Sequence, residues 1–190
     1  MGKVKQPISV KLIVGMLSSE KDLFSQAEDM MSQKFGPIDF KSSVLLFNFT
    51  PYYKKEMGEK LKRKFISFKR LISPEEIIEA KLFTNELEKK FFYPYSHTRH
   101  LNLDPGYLTL AKVVMATTKN YQHRLYLGKG IYAEVTLRYR RKKGFAPWEW
   151  TYPDYRSPEY LEIFEHIREI YIQQLNSFRL RKNRIKGLKG

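Results

Sequence analysis

Asn102 and Asp104 stand two apart in the run Asn102-Leu103-Asp104-Pro105-Gly106-Tyr107, an amide and a carboxylate beside a Pro-Gly pair. Asp before Pro-Gly is turn chemistry. Residues 104–106 are therefore expected to reverse the chain after a short strand at 99–103, with Asp104 accepting amides of its own turn. The same two side chains, at a strand end, could instead serve a ligand. A second group lies further on. His123 and Arg124 open one arm of an expected hairpin, and Glu134, Thr136 and Arg138 recur on the other at the strand period of two, which sets them on one face. Imidazole can exchange a proton near neutral pH and guanidinium can clamp phosphate. Ordinary cross-strand ion pairing would use the same residues.

An enzyme acting on a nucleotide or phosphorylated substrate would take Asp104, His123 and Glu134 as catalytic groups, with Asn102, Lys112, Arg124 and Arg138 holding negative charge. Lys112 lies in an apolar stretch and must either find an acid or reach solvent. Mg2+ is the metal such a reaction would use, and Asp104, Glu134 and Asp154 are the carboxylates for it, though spacing alone does not unite them. No cofactor or metal is otherwise expected. GxxxxGK[ST] and GxGxxG are absent, and Gly128-Lys129-Gly130 is too short for either. The histidines at 97, 100, 123 and 166 show no HExxH or zinc-finger spacing, and there is no cysteine.

Charge points to another class of partner. The 190 residues carry 35 Lys and Arg against 20 Asp and Glu, a net +15 that favours polyanions. Six cations and no acid fall in residues 178–190, and without them the charge is still +9. One basic cluster includes Lys54, Lys55, Lys60, Lys62, Arg63, Lys64, Lys69 and Arg70. A second, Arg138 with Arg140, Arg141, Lys142 and Lys143, adjoins Phe145, Trp148, Trp150 and Tyr152, on which bases could stack. RNA binding through these clusters is the leading expectation, ahead of the phosphate enzyme. A structural or protein-interaction subunit using the aromatic loop is the third. No RNP or GXXG signature accompanies the charge.

The elements that must position these residues read as α+β. A strand at 10–17 leads to a helix capped by Ser19 and Asp22 and stopped by Gly36-Pro37. Strands at 44–49 and 64–72 follow, then a helix opened by Ser73-Pro74-Glu75-Glu76, then the strand at 99–103. That order is the β-α-β-β-α-β of a ferredoxin-like unit. Residues 107–118 suit a helix as well as a strand. The hairpin around Gly128-Lys129-Gly130 and a helix from Ser157-Pro158 extend the unit. Lys81, Asn85 and Glu86 are expected on a wet helix surface. One domain over 1–176 and a basic tail over 177–190 are expected, with no membrane span, no signal peptide and a cytoplasmic location.

The runs KLIVGMLS, FGPIDF, FNFTPYY, KRKFISFKRLI with SPEE, KLFTNELE, NLDPGYLTLAKVVMATTK, HRLYLGKGIYAEVTLRYR and PWEWTYPDYRSPEY carry a resemblance. Over residues 11–175 the chain resembles the uncharacterised prokaryotic family called domain of unknown function 4416. That resemblance implies no activity, and the basic tail lies outside it.

Overall fold

The computed structural model describes residues 2–50, 53–92 and 99–187, with the side chains of all of these except residues 54, 55, 179 and 181–187. Val10–Ser18 (β1) is buried at every position, as befits a strand covered on both faces. Asp22–Phe35 (α1) buries Phe24, Ala27 and Met31. It ends where Gly36, at φ 91°, donates its N–H to the Ser32 carbonyl. The expected Ser19–Asp22 cap does not form; Ser18 Oγ receives the Glu20 amide at 3.0 Å instead.

Ile38–Lys41 (β2) and Leu45–Leu46 (β3) make one interrupted edge along Lys62–Ile72 (β4). At the break Ser42 donates its N–H to the Phe65 carbonyl and takes the Phe65 amide on Oγ, both at 2.9 Å. The strand expected at 44–49 is thereby reduced to two residues, and β2 is the longer partner of β4. Lys54–Met57 (α2) is a single turn. Ser73 donates its N–H to Glu76 Oε1 at 2.8 Å, and Pro74 opens a 3-10 turn that runs into Ile77–Lys89 (α3), as the capping residues predict.

The remaining elements are Leu101–Leu108 (β5), Lys112–Thr117 (β6), Leu125–Gly128 (β7), Ile131–Arg140 (β8), Gly144–Pro147 (β9) and Pro158–Gly187 (α4). The strands join in one sheet, order β2-β4-β1-β5-β6-β8-β7, with β3 also on β4 and β9 on β8. Every pairing is antiparallel. Leu12, Val14 and Ile66 face α1 and α3, while Ile13, Phe65 and Leu137 face Tyr160, Phe164 and Ile167 of α4. The fold is α+β, and α4 continues without a break past residue 176.

Two expectations fail around residue 104. Asp104-Pro105-Gly106 is not a turn, because β5 passes straight through it, paired residue for residue with β1. Proline survives there because backbone groups alternate sides along a strand. Leu103 turns its N–H and C=O away from β1, so Pro105 does too, and the missing N–H costs no bond in that ladder. Residues 112–117 are strand and not helix. Val113 and Met115 join one core and Ala116 the other, which gives a run without the alternation that marks a half-exposed strand. The glycines at 128 and 130 do form the hairpin turn, with Lys129 at φ 51° between them.

Candidate functional site

The pleat of β4 divides the first basic cluster. Lys62 and Lys64 point to the α1 side, where Lys62 Nζ donates to the Ser19 carbonyl at 2.8 Å and Lys64 Nζ meets Glu28 Oε1 at 2.5 Å. Arg63 points to the α4 side and is 2% exposed. Gly15 of β1 lies between Arg63 and β5, and a Cβ on it would stand 3.2 Å from Arg63 Nη1. That gap lets the guanidinium cross β1. Nη1 donates to Asp104 Oδ2 at 3.2 Å and Nη2 to Asp154 Oδ2 at 3.3 Å.

Burial opposes the charge on Arg63, and Tyr155, Tyr160, Asp104 and Asp154 around it more than offset that, so its pKa is raised. Burial pushes the Asp154 carboxyl up, against the pull of Arg63. Burial and then Asp104 raise the Tyr53 hydroxyl.

Asp104 is oriented from a second side. Asn102 Nδ2 donates to its Oδ2 at 2.7 Å, and Arg99 Nη1 holds Asn102 Oδ1 at 2.8 Å. Arg99 also forks onto Glu56 at 2.6 and 2.7 Å, which holds the Glu56 carboxyl below its usual range. β6 covers β5 only from Gly106 onward, so Leu103 meets side chains where a strand would be. Lys81 Nζ donates to its carbonyl at 2.9 Å, and Glu88 Oε1 accepts its N–H at 2.6 Å. Lys81 is therefore buried, not on the wet surface expected for it, while Glu86 is exposed. The Asp104 side chain stays 28% exposed, against 8% for Asp154 and 3% for Arg63.

The second group assembles much as its spacing predicts. Glu134, 5% exposed, accepts Arg124 Nε at 2.8 Å and His123 Nε2 at 3.0 Å on the same oxygen. Nε2 donates to the carboxylate oxygen, and Nδ1 is buried with no partner among the described residues. Arg124 continues to Tyr152 Oη at 3.2 Å.

Arg138 lies 4.0 Å over the Trp148 ring, Trp148 stacks on Trp150 at 5.1 Å, and Trp150 stacks on His123 at 5.6 Å. Trp148 thus has Arg138 and Trp150 against it, and Trp150 has Trp148 and His123, with Trp150 still 37% exposed. A base stacking where one of these neighbours lies would have to displace it, while Tyr152 of the same loop is exposed. Large exposed apolar side chains also gather on β7, at Leu125 and Tyr126.

The two groups share a sheet face. Gly106, two residues from Asp104, pairs with Met115, and Met115 pairs with Glu134. The segment 148–156 bridges them, giving Trp150 and Tyr152 to one and Asp154 and Tyr155 to the other. Their residues come from the runs FNFTPYY, KRKF, NLDPGY, HRLYL, IYAEV and WTYPDY. The family described as Domain of unknown function (DUF4416) matches residues 8–171. The chain belongs to that family. No curated protein and no solved structure matches it.

Within the matched region the expected site residues divide. Arg63, Asn102 and Asp104 meet in one group, and His123, Arg124, Glu134 and Arg138 in the other. Lys62 faces the opposite side of the sheet. Lys112 reaches solvent opposite Arg138 on β8, and Arg140 and Arg141 are exposed in the turn before β9. The three carboxylates considered for Mg2+ do not gather, since Arg63 stands between Asp104 and Asp154 while Glu134 faces His123 and Arg124. Among the described residues no three His, Asp or Glu side chains are grouped to hold a metal. His97 lies outside the described residues, and His100 Nδ1 pairs with Glu20 at 2.6 Å.

Arg99, Glu56, Glu88 and Tyr53 carried no sequence signal. Arg99 meets Asn102 and Glu56, 3 and 43 positions away along the chain, and Glu88 meets Leu103, 15 away. Among the described residues no helix is long and apolar enough to cross a membrane. A hollow of about 670 Å3 lies elsewhere, lined by Pro37, Asp39, Lys69, Gln174 and Phe178.

Proposed function

We propose that the α4 face of the sheet binds and acts on a small phosphorylated or nucleotide substrate, with Asp104 as its central carboxylate. One observation carries this reading: Asp104 is held from two sides by Arg63 and Asn102 yet stays 28% exposed beside buried Arg63, Asn102 and Asp154. A carboxylate so oriented can accept a proton from a substrate hydroxyl or anchor that hydroxyl. Arg99, 22% exposed, stands at the rim as a cation for phosphate. Glu134 fixes the tautomer of His123 and the direction of Arg124, so these act as positioning residues on the side toward Tyr152.

The order β5-β1-β4-β2 in antiparallel pairing, with α1 and α3 on one face, supports a ferredoxin-like reading of residues 10–108. In that reading β6 to β9 and α4 are additions that enclose the site.

The test is a thermal-shift panel of nucleoside mono-, di- and triphosphates and sugar phosphates against the full chain and its Asp104→Asn variant, each referred to its own ligand-free midpoint. A ligand at 100 times its Kd adds about 2.7 kcal/mol of stability. At least one compound should raise the midpoint of the natural chain and fail to raise that of the variant. A flat panel, or equal shifts in both proteins, overturns the reading.

A further inference from the structure

Four cations of the second basic cluster stay exposed in water, unlike Lys62, Arg63 and Lys64 of the first. Arg140, at the end of β8, and Arg141, Lys142 and Lys143 in the β8–β9 turn are all exposed, and among the described residues none has a side-chain hydrogen bond or ion pair. Lys142 sits at φ 66° and Gly144 at φ 76°, so the backbone reverses tightly and the four cations crowd onto one tip. Exposed Lys112 pairs with Arg138 on the strand that leads into this turn. Glu165 of α4 reaches this turn, its Oε1 lying 2.7 Å from where a Cβ on Gly144 would stand. It is committed to the Phe145 amide at 2.7 Å. Glu162 and Glu169 are exposed on the same helix and reduce the local excess without pairing with the turn.

Glu165 also fixes where the turn stands along α4. Positions 179 to 186, where the sequence carries the tail's Arg and Lys, begin 14 residues further on the same continuous helix, and at 1.5 Å per residue their backbone lies about 21 to 32 Å from that point. Nucleic acid rises about 3.4 Å per nucleotide along each strand, so roughly six to nine steps of one backbone cover this span.

We propose that the β8–β9 turn and the C-terminal half of α4 form a two-point surface for the phosphodiester backbone of a nucleic acid, separate from the Asp104 site. The sequence Arg-Arg-Lys-Lys-Gly of the turn contains no apolar residue, whereas a membrane-surface segment needs an apolar face to bury. Phe178 and Leu180, exposed on α4, make an anionic bilayer the competitor to be tested.

The experiment titrates labelled 20-nucleotide single-stranded RNA, duplex RNA and duplex DNA with nuclease-treated full chain between 50 and 200 mM salt. Phosphatidylserine vesicles form a parallel arm. It is repeated with the triple variants Arg141→Gln/Lys142→Gln/Lys143→Gln and Arg181→Gln/Lys182→Gln/Arg184→Gln, each checked for unchanged circular dichroism. Each lost phosphate contact lowers the slope of log K against log salt by about 0.9 on duplex DNA, so each variant should lower it by about two to three and weaken binding at least tenfold. Unchanged binding by the turn variant overturns the proposal. So does binding to vesicles without binding to any nucleic acid.

Discussion

Replacing Arg63 by Met should expose how the buried part of the Asp104 site is held. The substitution keeps the apolar stem and removes a guanidinium shared by two carboxylates. Asp104 is 28% exposed and retains the Asn102 amide, so most of the loss falls on Asp154, 8% exposed. Leaving a buried charge without its partner costs about 3–5 kcal/mol. For a chain of this size that lowers Tm by roughly 6–20 °C.

The cost must depend on pH. Burial already raises the Asp154 pKa, and Arg63 opposes it; without Arg63 the native-state value climbs further above that of the unfolded chain. Between those two values the native state binds more protons, so stability falls as pH rises. The difference from the natural protein should therefore be largest at pH 7 and shrink toward pH 4.5. Urea unfolding followed by circular dichroism at both pH values measures it. Adding Asp154→Asn to the variant should recover at least about half of the loss, since a neutral amide costs less to bury than a charge. A penalty below about 1 kcal/mol, or one equal at the two pH values, would refute the reasoning.

Burial raises Tyr53, Tyr155 and Tyr160, so above the ordinary tyrosine pKa of about 10 the unfolded chain releases protons that the native state keeps, and stability should fall by about 1.4 kcal/mol per pH unit for each. Phenolate absorbance should show part of the 13 tyrosines titrating only on unfolding; a single smooth titration of all of them in the native state contradicts this. Gly106→Ala should cost about 1–3 kcal/mol in denaturant melts, because the new Cβ would meet the Val114 carbonyl and Met115 Sδ, each at 2.5 Å. Lys11 is fully buried and pairs with Asp39 and Gln174, whereas Asp39 is 16% exposed and also bonded to Ser67. Asp39→Ala should therefore destabilise more than Lys11→Met, and the reverse ranking in urea would show that the burial of the lysine is not what sets the cost.

Arg124, His123 and Glu134 were legible in the sequence because a hairpin imposes its own register: two glycines close the turn, and residues near it must meet across the strands. The cap at Ser73-Pro74 and the stop at Gly36 were legible for the same local reason. Asp104 was read as a turn residue because Asp-Pro-Gly forms turns when nothing opposes it. Here β1 pairs along its whole length and the proline points off that ladder. The strand at 112–117 was ambiguous because cover on both faces erases alternation.

Composition and local chemistry determined by themselves that this is a basic α+β chain with a hairpin near residue 129 and a long C-terminal helix. These properties depend on residue types and on neighbours a few positions apart. Only the tertiary structure decided which cations are spent and which remain. Lys62, Arg63 and Lys64 look equivalent to Arg141, Lys142 and Lys143 as text. The pleat sends the first three to Ser19, Asp104 with Asp154, and Glu28, while a tight turn leaves the other three in water. A partner 41 or 91 positions away has no trace in local pattern, since it is brought into reach only by the pairing of strands and the closing of the core.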